Sequence, residues 1–83
     1  MTMRIDTTIE DHVVTLHLSG RMSSEHLEEM RNEIRARRGT VVLDLDQVTL
    51  VDVEVVRFLK AAEREGVELR NCPPFIREWI ARE

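Results

Sequence analysis

The stretch Val41-Val42-Leu43-Asp44-Leu45-Asp46-Gln47-Val48-Thr49-Leu50-Val51-Asp52 decides the fold. Val41 to Leu45 is a short, almost continuous apolar run, the pattern of a strand covered on both faces or lying at the centre of a sheet. It is therefore expected to be the central strand. Asp52 is a preferred helix N-cap residue, since its side-chain oxygens can accept an unpaired backbone N–H of the first turn. Beyond it Val55, Leu59 and Ala62 repeat at i, i+4 and i+7, and Phe58 widens the apolar face, which predicts a helix stopped by Gly66.

Downstream of Gly66, Val67 to Asn71 reads as a further strand, and Pro73-Pro74 opens a last helix carrying Phe75, Ile76, Trp79 and Ile80. Proline is tolerated there because a first-turn N–H has no helical partner anyway. Upstream, Met3 to Glu10 alternates, with Ile5, Thr7 and Ile9 on one face. Val13 to Ser19 alternates again, with Val14, Leu16 and Leu18 inward and Val13, Thr15 and His17 outward. Asp11-His12 is the turn of an antiparallel hairpin, and Gly20 is expected to end its second strand.

Ser23 or Ser24 then caps a helix. Glu25, Glu28 and Glu29 fall in its positive first turns, and Arg35, Arg37 and Arg38 in its negative last one. Its apolar stripe is Leu27, Met30 and Ile34, and Gly39 is read as its C-terminal stop. The order ββαβαβα predicts an α/β fold: a small mixed sheet of about four strands, a leading antiparallel hairpin followed by βα units, and helices packed mainly on one face.

Composition bounds what such a fold can do. The 83 residues are 42% hydrophobic, 34% charged and 4% aromatic, which describes one small domain over residues 1–83, near the lower size limit for folding without staples. No run approaches the roughly 20 apolar residues of a spanning helix, so no membrane insertion is expected. The start, Met1-Thr2-Met3-Arg4-Ile5-Asp6, lacks a secretory pattern, and a single cysteine, Cys72, agrees with a cytoplasmic setting. A formal charge of −4 opposes a nucleic-acid partner.

Chemistry-bearing residues are scattered. His12 and His17 lie on the hairpin and His26 in the first helical turn, without metal-ligand spacing, and there is no glycine-rich phosphate cradle, so neither metal nor cofactor is expected. Cys72 has no evident base beside it. Arg31, Arg35, Arg37 and Arg38 share their helix with four glutamates and read as a solvated face. An enzyme is not expected.

Four segments, in this order and spacing, resemble the STAS family, whose best known members are bacterial anti-sigma factor antagonists. Val14-Thr15-Leu16-His17-Leu18-Ser19-Gly20 is similar to the strand and glycine before the family's first helix. Val41 to Val48 is similar to its central strand followed by a short apolar connection, Thr49-Leu50-Val51-Asp52 to the approach to its signature turn, and Gly66 to Asn71 with the following prolines to its next strand and helix. The resemblance implies a protein-interaction module of regulation or signalling. Its partner would be an anti-sigma factor or related ATP-binding kinase, docking around Asp52, Val53, Glu54 and Arg57 and around Arg21 and Met22, which follow Gly20.

Two departures qualify what is carried over. Phosphorylatable members continue Asp-Ser-Ser-Gly or close to it, whereas this chain reads Asp52-Val53-Glu54-Val55, with no hydroxyl to accept phosphate. Glu54 stands at the phosphoacceptor position. Its carboxylate can be read as a standing mimic of phosphate, or simply as an acidic residue favourable in any first helical turn. Family domains usually also continue past this last helix, so the Val67 to Asn71 strand is expected at an uncovered edge. There Glu68, Arg70 and Trp79 are candidates for contact with a second copy, as a weak homodimer, or with a larger assembly such as a transporter. In that alternative the chain is an accessory or structural subunit.

Overall fold

A computed structural model of the chain describes residues 3–37 and 39–83. The elements are β1 (Met3–Glu10), β2 (Val13–Met22), a 3-10 turn (Ser24–His26), α1 (Leu27–Arg35), β3 (Thr40–Val51), α2 (Val53–Arg64), β4 (Glu68–Arg70) and α3 (Pro74–Arg82). The sheet order is β1-β2-β3-β4, with β1 antiparallel to β2 and the other two pairs parallel. This is the expected mixed sheet. β3 is interior, sharing the middle of the sheet with β2, while β1 and β4 are its edges.

The register puts alternate residues of every strand on the same face. Leu16, Leu43 and Leu69 are direct cross-strand neighbours on the helical side, where Leu27 and Met30 of α1, Val55, Val56 and Leu59 of α2, and Ile76 and Ile80 of α3 close over them as one core. The opposite face is mixed: Val42 and Thr15 are buried on it, and the next row across it is polar, reading Asp6, His17, Asp44, Arg70. Asp11 and His12 both have positive φ, as a two-residue type I′ hairpin turn requires.

Several boundaries differ from the sequence reading, each for a local reason. The segment after Leu45 is strand rather than connection, because β3 carries two bulges: Ser19 pairs with Gln47 after His17 pairs with Asp44, and Arg21 with Leu50 after Gly20 pairs with Val48. Each bulge inserts one extra residue on β3, so Leu45, Val48 and Val51, spaced by three, all reach the core. Asp44 Oδ1 accepts the Asp46 N–H at 3.1 Å inside the first bulge.

For the same reason β2 does not end at Gly20. It runs on to Met22, which pairs with Val51 and is fully buried. The helix predicted up to Gly39 ends at Arg35 instead. Gly39, at φ +96°, meets the hairpin turn so closely that a Cβ would lie 2.5 Å from the His12 carbonyl oxygen. Arg37 lies past the helix and binds Glu33 at 2.8 Å, and Arg38, like Met1 and Thr2, lies outside the described residues. On β1 only Met3 and Ile5 pack against the core. Ile9, expected inward, is 64% exposed near the end of this edge strand. β4 is shorter than expected, starting at Glu68 and ending at Arg70.

Candidate functional site

The centre of the predicted site is the turn from β3 into α2. Asp52 is extended (φ −111°, ψ 177°), as an N-cap residue is, and its Oδ1 accepts the Val55 N–H at 3.0 Å. Its second oxygen reaches across the fold: Oδ2 accepts the Ser24 N–H at 2.9 Å. One carboxylate thus serves the N-terminus of α2 and that of the 3-10 turn leading into α1. Unpaired N–H groups and helix dipoles favour a negative charge at both places. Nearby, the Ser23 N–H donates to His26 Nδ1 at 3.1 Å, which fixes the entry to α1.

Around this turn the side chains fall into two groups. Glu54, Arg57, Arg21 and Thr49 are exposed and Val53 is half-buried, whereas Met22 is a core residue and is removed from any contact surface. Met22 looked available from sequence because Gly20 was read as the end of the strand. Arg57 lies 3.7 Å from Glu54 one turn away and 3.0 Å from Glu83 beyond the end of α3. The hydrogen bond and charge of Glu83, with the charge of Glu54, push the Arg57 pKa up further. Leu50, read only as part of the approach to the turn, is 49% exposed beside Arg21. Its signal was its position between the inward Val48 and Val51.

The other candidates lie apart from this turn. Glu68 and Arg70 are exposed on β4 and paired to each other at 3.3 Å. Trp79 is half-buried against the core, and Phe75 is the more exposed aromatic of α3, at 46%. Cys72 is half-buried, and burial pushes its thiol pKa up, which disfavours the nucleophilic thiolate. Among the described residues no group of three or more His, Cys, Asp or Glu side chains is placed to hold a metal ion. No helix is long and apolar enough to cross a membrane.

His17 and Asp44 form a second polar cluster on the helix-free face. His17 Nδ1 lies 3.2 Å from Asp44 Oδ2, and Thr8 Oγ1 lies 3.2 Å from His17 Nε2. Burial raises the Asp44 pKa, but the Asp46 N–H, the Asn71 amide and His17 together outweigh it and hold the carboxyl below its ordinary value. The hydroxyl, imidazole and carboxylate lie on the sheet face away from the helices, and the Asp46 N–H beside them is taken by Asp44 Oδ1.

Comparison with known proteins agrees with this fold. A family model described as "Mlab, STAS domain" matches residues 5–82. Among solved structures, the chain is similar to the crystal structure of an antisigma-factor antagonist STAS domain from Rhodobacter sphaeroides. The TM-score is 0.61 at 19% identity, and the match covers 83% of this chain and 84% of that one. At that identity the likeness is one of fold. No curated protein matches at a significant level. With the family model spanning nearly all of its strands and helices, the chain belongs to the STAS domain family.

Proposed function

We propose that this STAS domain, taken as one unit over residues 1–83, is a non-enzymatic protein-interaction module of bacterial regulation or signalling that works in the cytoplasm. Its partner docks on the turn held by Asp52, against Leu50, Glu54 and Arg57 with Arg21 at the margin. The leading partner class is an anti-sigma factor or related ATP-binding kinase. The observation that carries this reading is the double tether of Asp52. A carboxylate bonded to both Val55 and Ser24 holds a turn rigid, and beside it an exposed leucine and a Glu54–Arg57 pair are displayed. A rigid rim with an apolar residue and charges of both signs suits selective protein contact. Residues 53–55 have no hydroxyl, so binding here is set by affinity and abundance, without phosphorylation at this turn. Glu54 supplies a fixed negative charge in its place.

The test is affinity capture from the source organism with the wild-type chain and with Leu50→Asp and Glu54→Lys. A kinase-like regulator retained by the wild type and lost by both variants supports the reading. Equal capture by all three places the interface elsewhere.

A second reading rests on β4, which has one hydrogen-bonded neighbour and leads into a helix with an exposed Phe75. In it the chain is an accessory subunit joined through this edge, as a weak homodimer or in a transporter-associated assembly. Transport components among the captured proteins, unaffected by Leu50→Asp, favour this alternative.

A further inference from the structure

Between α1 and α2 lies a groove of about 270 Å³ whose lining has no part in the docking reading beyond Glu54 and Arg57 at one end. Its apolar surface comes from Ile34, Phe58, Ala62 and Val67, and its α1 wall carries Arg31 and Arg35. Among the described residues, neither arginine forms an ion pair with a carboxylate. The Arg31 guanidinium lies over the Phe58 ring, 5.4 Å from its centroid. This cation–π contact positions it without neutralising it. Arg31 and Arg35 are four residues apart on one helix, a spacing at which like charges repel.

Two uncompensated guanidiniums beside an apolar floor select an anion with an apolar body. The opposite wall narrows the choice further. Arg57 is occupied by Glu54 and Glu83, while Glu65 is left as a negative group in the groove, so a second charge on the ligand would be opposed. The volume falls just below the roughly 300–1,000 Å³ of sites for drug-sized ligands, which limits the body to one or two rings. We propose that the α1–α2 groove binds a small aromatic monoanion. Its carboxylate or sulfonate is held by Arg31 and Arg35, and its ring lies on Ile34, Ala61 and Val67, beside the buried Phe58 that seats Arg31. Guanidinium favours planar carboxylate through paired charge-assisted hydrogen bonds, and the apolar floor supplies the remaining contact.

The experiment is an NMR titration of the full chain with 2-naphthoate, its neutral isostere 2-naphthamide and the cation 2-naphthylmethylammonium. The expected result is saturable shifts for 2-naphthoate at the Arg31 and Arg35 Nε–H and at the Phe58 and Val67 amides. Binding of the neutral compound should be weaker by roughly tenfold, and the cation should give no shifts at these positions. Arg35→Gln should weaken 2-naphthoate by a similar factor while leaving the dispersed spectrum of the folded protein intact. Arg31→Gln should do the same, and Arg77→Gln, on the far helix, should change nothing. Equal binding of the acid and the amide, shifts that map outside the groove, or naphthoate binding untouched by Arg35→Gln would each overturn the proposal.

Discussion

Asp52 and Ser24, 28 residues apart, are joined by a 2.9 Å hydrogen bond from the Ser24 N–H to Asp52 Oδ2, while Asp52 Oδ1 caps α2 through Val55. Removing the carboxylate unties both helix starts at once. Asp52→Ala is expected to cost about 1–2 kcal/mol, the sum of a lost cap and a second, exposed bond to a charged acceptor. Asp52→Asn keeps one acceptor oxygen and can still cap Val55, so it should cost less. It should speed amide exchange at Ser24 but not at Val55. Urea denaturation and hydrogen exchange measure both effects, and an unchanged midpoint for Asp52→Ala would remove the tether from this account.

The turn itself should stay free of phosphate. Incubation with ATP and a kinase partner is expected to leave the peptide spanning Val53 to Arg57 at its unmodified mass, because no residue in it bears a hydroxyl. Thr49, exposed just upstream, is the control: fragmentation distinguishes a phosphate there from one on the turn. A modified residue between 53 and 57 would contradict the proposal.

Asp44 should make stability depend on pH in a defined direction. Its folded pKa lies below the ordinary 3.8, so the stabilisation is fully present above about pH 5 and is lost as pH falls through the folded value. Asp44→Asn is expected to destabilise the protein at neutral pH, and the gap from wild type should close below about pH 4. Asp6, opposite His17, and Arg70, opposite Asp44, share this face and stay in place in both proteins. A gap that persists unchanged at pH 3 would show that the loss comes from shape rather than charge.

Two glycines allow a matched comparison of strain with collision. Gly66, at φ +101°, has nothing within 4 Å of a built Cβ, whereas at Gly39, φ +96°, that Cβ would meet backbone at 2.5 Å. Gly66→Ala is therefore expected to cost about 1 kcal/mol from the left-handed conformation alone. Gly39→Ala should cost clearly more, because it must also push the hairpin turn away. Equal denaturation midpoints for the two variants would show that the contact with His12 relaxes freely.

Self-association through β4 is open to sedimentation measurements over a wide concentration range. The weak dimer of the second reading should appear at high concentration and disappear in Glu68→Pro, which disrupts the edge while Leu69 keeps its inward position. A monomer at every concentration, or a dimer that survives the substitution in a folded protein, would rule out this edge as the contact.

Much of this molecule is written locally. The alternation of β1 and β2, the apolar run of β3, the Asp52 cap and the 3.6-residue stripes of α1 and α2 are each determined within a dozen residues by side-chain periodicity and backbone hydrogen-bonding needs, and they suffice for the element order and the family. The location of the signature turn, and its lack of a hydroxyl, were equally legible. What the chain could not reveal by itself depends on residues far apart in sequence. The bulges of β3 exist because its pairing with β2 must bring Leu45, Val48 and Val51 to one core, and read alone their three-residue spacing suggests a connection. Met22 follows those bulges into the interior, which is why a residue that looked free to touch a partner is buried. The second bond of Asp52 needs Ser24, brought beside it by the parallel β2–β3 register. The anion groove needs α1 and α2 set apart by the sheet beneath them. Periodicity assigns a residue to a face, but only closure of the sheet under its helices decides which faces stay open and which charges are left without a partner.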